Sequence, residues 1–269
     1  MRKKISIFNK KPTLTKVAGF FFLFYVIAIW GANLLWYKHH SFADFHLFDD
    51  LAEWQQMDKL GHIFSAFYLS SCSFAVLSFL FPEKKTLLLS SLSGFALLSS
   101  IEILDGFSPA YGASIYDLVA NFLGAMLFVC QKKIFKKIIL QPKFSFHFST
   151  FATQRPHILG DSWLAQLLKD YNGQTYWYAF PVRFFPSWLQ LSVGYSADNM
   201  LFGHYFQNEQ AGLTPFRRYF ISVDINLMAL KSRYSLLNSV IPFANLLRLP
   251  LPALEWNERD GFVWHWIYF

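Results

Sequence analysis

Tyr116-Asp-Leu-Val-Ala-Asn-Phe-Leu-Gly-Ala-Met-Leu-Phe-Val-Cys130-Gln-Lys-Lys-Ile-Phe-Lys-Lys137 is followed, a few residues later, by Phe144-Ser-Phe-His-Phe-Ser149. The first run is apolar on nearly every side and stops at a block of lysines, the pattern of a helix in lipid ending at a membrane surface. The second alternates, which places Phe144, Phe146 and Phe148 on one face of an extended chain. The periodicity therefore changes from helical to strand-like near residue 140. This predicts an α+β protein: a polytopic helical membrane half, residues 1–140, followed by a β-rich antiparallel half, residues 141–269.

Upstream of the switch, three more apolar segments precede Tyr116–Cys130: Val17–Tyr37, Met57–Phe81 and Thr86–Leu104. Val17–Tyr37 runs about 21 residues without a charge, or about 30 Å of helix, the thickness of one bilayer core. Its apolar core exceeds that of a signal peptide, and Trp30 occupies the position before Ala32 where cleavage needs a small residue. An uncleaved anchor is the expectation. The N-terminus and residues 131–143 hold eleven of the 24 basic residues and no acid, whereas the 38–56 loop holds Asp44, Asp49, Asp50 and Glu53 against Lys38 alone. By the positive-inside rule this predicts four spans with both ends in the cytoplasm.

Downstream, Leu189–Tyr195 and Tyr219–Leu227 repeat the alternation, and Gln174–Val182 and Phe262–Phe269 add two aromatic-rich strand candidates. Asp161–Tyr171 reads as a short helix capped by Asp161 or Ser162. Pro181, Pro186, Pro215, Pro242, Pro250 and Pro252 read as turns or loops. A face of alternating Phe and a terminal Tyr268-Phe269 also suit outer-membrane strands, which need about 9–11 residues each and a closed barrel, whereas the candidates here number five or six and several are short. A β domain packed against the membrane surface accounts for them more simply.

Composition narrows the function. Charged residues are 15% of the chain, against roughly 25% in soluble domains. Hydrophobic residues are 54% and aromatic residues 20%, with 32 Phe. Such a chain needs an apolar partner beyond its own core, and membrane lipid is the expected one. The net charge of +7 lies in blocks beside apolar runs rather than on a soluble face, which excludes a nucleic-acid partner. Cys72 and Cys130 both lie in apolar stretches and form neither a disulfide framework nor a CxxC site.

Ionisable groups inside apolar helices are candidates for function. Asp58 and His62 are four apart and share a helical face, as do Asp117 and Asn121; Glu102 and Asp105 close the third segment. In the four-span topology all of these reach the depth of the outer leaflet. Hydrogen bonding among them and favourable placement of Asp58 and Asp117 at helix N-termini is the simplest account. It leaves several carboxylates together with Lys59 as the one nearby base, so a divalent cation held by Asp58, His62, Glu102 and Asp117 is an open alternative. Acid–base work by His62 with a carboxylate is another. His39, His40 and His46 beside Asp44, Asp49 and Asp50 read as an exposed polar loop before they read as a metal site.

Met57-Asp-Lys-Leu-Gly-His62, Ser99-Ser-Ile-Glu102-Ile-Leu-Asp105-Gly-Phe-Ser-Pro109 and Ser114-Ile-Tyr-Asp117-Leu-Val-Ala-Asn121-Phe-Leu-Gly124 together resemble the uncharacterised bacterial YfiM-type family of predicted lipoproteins. They are also similar to the core of VanZ-like membrane proteins. The likeness covers residues 55–130; Leu168–Trp177 and Val193-Gly-Tyr195 are similar to a C-terminal extension of long YfiM-type members. It implies an envelope membrane protein of undetermined biochemistry. The convergence of acids at one depth, read from the residues themselves, makes Asp58, His62, Glu102 and Asp117 the candidate catalytic or metal residues and Asp105, Ser114 and Asn121 the candidate ligand contacts. Two features depart from the pattern. The loop Pro109-Ala-Tyr-Gly-Ala113 lacks the arginine usual in VanZ-like proteins, and the acylated cysteine of a lipoprotein is missing.

Two functions follow as expectations. One is a non-enzymatic protein of the inner membrane, whose polar cluster organises the helices or holds a lipid-linked head group while the β half binds a partner. The other is a metal-assisted or acid–base enzyme acting on an envelope lipid. Processing of the first segment would instead place the chain in the periplasm or at the outer membrane.

Overall fold

The computed structural model describes residues 12–37, 42–230 and 233–269. Four long helices come first, followed by a six-stranded antiparallel sheet, an α+β architecture. The helices are α1 (Leu14–Ala32), α2 (Met57–Leu77), α3 (Glu83–Asp105) and α4 (Ile115–Phe135). Each belongs to a stretch long and apolar enough to cross a membrane: Leu14–Tyr37, Glu53–Leu77, Glu83–Asp105 and Ile115–Phe135. The chain divides into two compact units, Met1–Phe48 with Ser65–Ile134, and Asp49–Phe64 with Phe135–Phe269. The helix α2 starts in the second and ends in the first.

In the helical unit, small residues decide the packing. A Cβ on Gly94 of α3 would lie 2.4 Å from Ser70 Oγ and 2.9 Å from Ser70 N of α2, so only glycine permits this approach. Phe128 of α4, fully buried, packs edge-on to Phe67 and Phe74 of α2. Thr13 caps α1 by accepting from Lys16 N. Pro82 precedes α3, where its fixed φ suits a helix start.

The second unit is built on β1 (Gln141–Phe146), β2 (Gln174–Phe180), β3 (Leu189–Asp198), β4 (Phe216–Ile225), β5 (Leu251–Asn257) and β6 (Gly261–Tyr268), paired in sequence order. Short helices α5 (Pro156–Leu159), α6 (Trp163–Lys169) and α7 (Tyr205–Gln210) lie in the connections, and α8 (Ser235–Ala244) joins β4 to β5. The expected strands near 144, 174, 189, 219 and 262 are present, and α6 follows Ser162 as expected. The first strand ends at Phe146, so Phe148 lies beyond it, its ring 5.3 Å from that of Phe146. Four elements are additional to those expected: α5, α7, α8 and β5. β5 includes Pro252, which sits between Leu251 and Ala253 where the β5–β6 register shifts and a ladder donor is dispensable. α8 continues through Pro242.

The sheet curls. Thr175 on β2 and Tyr268 on β6 share a hydrogen bond of 3.0 Å although three strands separate them. The outer edge of β1 is paired with the approach to β5, Phe144 N donating to Leu246 O and Arg248 N to Phe144 O. The enclosed face is an aromatic cluster of Trp177, Phe220 and Tyr268 among buried charges. Lys143 pairs with Asp224 at 2.5 Å. Arg218 donates twice to Glu255, which also meets His265. Arg248 lies 3.9 Å from the Trp177 ring centroid and donates to Tyr268 O. Burial lowers the Arg248 pKa to about 10, against the opposing pull of Asp224.

Candidate functional site

The motif Met57-Asp-Lys-Leu-Gly-His62 lies in the second unit, and each of its polar groups has a structural neighbour there. Asp58 accepts from Tyr171 Oη at 2.5 Å through one oxygen and from Lys59 Nζ at 3.0 Å through the other. Lys59 also donates to Asp50 at 2.5 Å; both residues are buried. His62 Nε2 stands 3.8 Å from Asp58 Oδ1, as the four-residue spacing requires. Met57 is fully buried with Tyr176, Ala197 and Met200. Gly61 is needed because a Cβ there would come within 2.9 Å of the Tyr176 hydroxyl. The motif thus docks the first turns of α2 against β2 and β3.

The turn before α2 has unusual backbone. Trp54, Gln55 and Gln56 have φ of 48°, 51° and 63°, three consecutive non-glycine residues in the left-handed region. Each such residue costs roughly 1–2 kcal/mol. Specific bonds within the unit hold them: Trp54 N donates to Gly203 O, Tyr195 Oη to Gln55 O, and Arg217 to Gln56 Oε1. Glu53 meets His204 at 3.2 Å, and the Trp54 and Tyr171 rings are 5.5 Å apart.

The remaining candidates lie in the helical unit. Glu102, near the end of α3, accepts from Ser114 N, and Ser114 Oγ accepts from Asp117 N. Ser114-Ile-Tyr-Asp117 therefore starts α4 in the manner of a capping motif, and Glu102 ties that start to α3. Glu102, Ser114, Asp117 and Asn121 are all buried. Asp105 accepts from Tyr37 Oη at 2.8 Å, and the Tyr37 and Tyr111 rings are 6.2 Å apart. Burial, reinforced by Asp105, pushes the Tyr111 hydroxyl up to about 12. His46 has both ring nitrogens on backbone oxygens, those of Asp44 and Tyr111. His39 and His40 lie outside the described residues.

The seven candidates are thus distributed over both compact units: Asp58 and His62 in one, Glu102, Asp105, Ser114, Asp117 and Asn121 in the other. Asp50, Tyr37 and Tyr171 are contacts that reading the sequence did not assign. Asp50 is one acid among several in a polar loop, and the two tyrosines are two of thirteen, with no spacing that links them to a helix elsewhere.

These observations define a class: an α+β chain with helices of membrane-spanning length and buried polar residues at their ends. Residues 46–133, about a third of the chain, match the model of a family described as predicted periplasmic lipoprotein (DUF2279). No curated protein and no solved structure matches the chain. The match includes every quoted motif of the helical half and supports the YfiM-type lipoprotein likeness; the VanZ likeness has no counterpart among the comparisons. A cell-envelope protein of uncharacterised role is consistent with it.

Proposed function

We propose that the chain is an integral membrane protein of the cell envelope, whose four long helices span the bilayer and whose polar residues have a binding or structural rather than a catalytic role. The observation that supports this reading is how Asp58 and Glu102 are used. Each carboxylate accepts from fixed groups of its own unit, Tyr171 and Lys59 for Asp58 and Ser114 N for Glu102. A general base or metal ligand keeps its lone pairs directed at substrate or ion. The alternative, an acid–base or divalent-cation-assisted enzyme acting on an envelope lipid, rests on the 3.8 Å approach of His62 to Asp58.

Single alanine substitutions at Asp58, His62, Glu102 and Asp117 separate the two. Reduced protein level in membranes for all four is the expected result. Normal level with loss of an envelope phenotype would favour the enzyme. Reporters fused after Asp50 and after Phe269 test the topology: the first is expected to be active outside the cytoplasm and the second inside. A periplasmic C-terminus would remove the four-span arrangement in favour of the periplasmic or outer-membrane location that the family description suggests.

A further inference from the structure

The curled sheet encloses its charges beside Trp177, Phe220 and Tyr268 and turns a further row of large apolar side chains outward. Lys143 and Asp224 are fully buried, and Glu255 and Arg248 nearly so. On the opposite face of β4–β6, Ile221 is 57% exposed, Phe262 75%, Trp264 52% and Trp266 76%, joined by Tyr219, Leu254 and Trp256. No outward position from Tyr219 to Ile225, at Leu254 and Trp256, or from Phe262 to Trp266 is charged. In water this arrangement is inverted, because about half-buried strands normally turn polar groups to solvent.

The connection between β4 and β5 continues the pattern. In α8, Leu237, Val240 and Phe243 are exposed, with Tyr234 just before and Met228 and Leu230 further upstream. From Ile225 to Leu254 the sequence carries no acid; of its three bases Arg248 is buried within the sheet, and Lys231 and Arg233 precede α8. Arg233 is exposed beside Tyr234, its guanidinium bonded to that hydroxyl. The helix α8 itself carries no charge, and the exposed Arg233 just before it, in a stretch with no acid, is complementary to a surface of negative charge. The opposite end of β5 and β6 is the charged turn Glu258-Arg259-Asp260.

We infer that the outward face of β4–β6, together with α8, beds on an anionic phospholipid bilayer. The occupant is a membrane surface rather than a surrounding bilayer for two reasons of magnitude. The outward row Tyr219–Ile225 covers about 20 Å, at roughly 3.3 Å per residue, short of the roughly 25 Å apolar band of a membrane barrel. Six strands ending at β6, which has no further strand beside it among the described residues, would also leave backbone groups unpaired in hydrocarbon. Face-on contact at the boundary of head groups and acyl chains avoids both, and tryptophan and tyrosine favour that depth.

The test uses the full chain reconstituted in vesicles of phosphatidylethanolamine with phosphatidylglycerol as the minor component, and in vesicles of phosphatidylcholine alone. The two free cysteines are first replaced by serine (Cys72→Ser, Cys130→Ser). A nitroxide is then attached singly at Leu254→Cys, Trp264→Cys, Phe243→Cys, Glu258→Cys and Leu123→Cys, all exposed positions. Collision with oxygen is compared with collision with a water-soluble nickel chelate. In the anionic vesicles the labels at 243, 254 and 264 are expected to show a several-fold higher oxygen-to-nickel ratio than the label at 258. Arg233→Glu, or the phosphatidylcholine vesicles, should lower the ratio at 243. Quenching of intrinsic tryptophan fluorescence by brominated lipid gives the same reading without labels. High nickel access at 243, 254 and 264 would overturn the inference, as would low access to both reagents, which would mean that protein, such as a second copy, covers the face. The label at 123, on α4, reports the spanning helices separately, so failure of the docking surface and failure of the four-span reading are distinguishable.

Discussion

Lys143 and Asp224 test the reasoning about the sheet interior most directly. Both are fully buried, their charges meet at 2.5 Å, and Lys143 also donates to Ile225 O. Two unit charges about 4 Å apart attract by about 4 kcal/mol at an effective dielectric constant near 20, and breaking a buried pair costs about 3–5 kcal/mol. The two partners are not equivalent, because Arg248 also acts on Asp224. Lys143→Met leaves the carboxylate facing one cation, whereas Asp224→Asn leaves two buried cations facing each other. The first should fall near about 3 kcal/mol and the second near about 5 kcal/mol. For a unit of this size, about 2–4 °C of melting temperature per kcal/mol gives a loss of roughly 10–20 °C for Asp224→Asn. Near-ultraviolet circular dichroism of the full chain in detergent micelles follows the melt, since it reports Trp177 and the aromatic rings packed with it on this face.

Two further features of this prediction are specific. The pair Lys143→Met with Asp224→Leu should lose less than Asp224→Asn alone, because only one cation then remains. Burial holds the folded Lys143 pKa below its ordinary value, so the unfolded chain binds more protons in that range. The stability of Asp224→Asn should therefore rise with pH on approaching the unfolded lysine value of about 10.4. A larger loss for Lys143→Met than for Asp224→Asn, or a double variant losing the sum of the two, would refute the argument.

Other outcomes follow from the same geometry. Burial acts to raise the Glu255 pKa, but the two Arg218 hydrogen bonds of 2.8 and 2.7 Å, with Asn257 and His265, hold it below its ordinary value. Its contribution is complete above the unfolded value of about 4.3 and is lost as pH falls through the folded one, so Glu255→Gln should lower the melting temperature at neutral pH and flatten its acid limb. Gly94→Ala places a methyl 2.4 Å from Ser70 Oγ and 2.9 Å from Ser70 N. It should cost about 1–3 kcal/mol in a melt of the full chain, and adding Ser70→Gly should recover only part, because the backbone nitrogen stays.

Reading the sequence located the helices and most strands because their signals are local. A charge-free run of bilayer length and an alternation of Phe with polar residues are set by 1.5 Å per helical residue and by the two-residue period of strands. β5 and α8 lack a clear local signal, since each contains a proline that normally ends an element. Pro252 is tolerated at a register shift, where its missing donor leaves no gap in the ladder. The capping role of Ser114 and Asp117 was within reach, because a serine three residues before an acid at a helix start is itself a sequence pattern.

What spacing alone could not supply is which groups meet across long separations. The periodicity of 216–225 distinguishes two faces of β4 but not which one is enclosed, because one carries Phe220 and the other Tyr219 and Ile221. That choice depends on Lys143, 81 residues from Asp224, and on Tyr268 reaching Thr175, contacts that exist only once the sheet curls. Likewise, the sequence assigns Asp58, Lys59 and His62 to one apolar helix, while the fold gives Asp58 the hydroxyl of Tyr171 and gives Gly61 the ring of Tyr176. Local steric rules are written into each short stretch of chain. Pairing of buried charges and close backbone approaches are set by chain segments far apart in sequence, and only the tertiary structure brings them together.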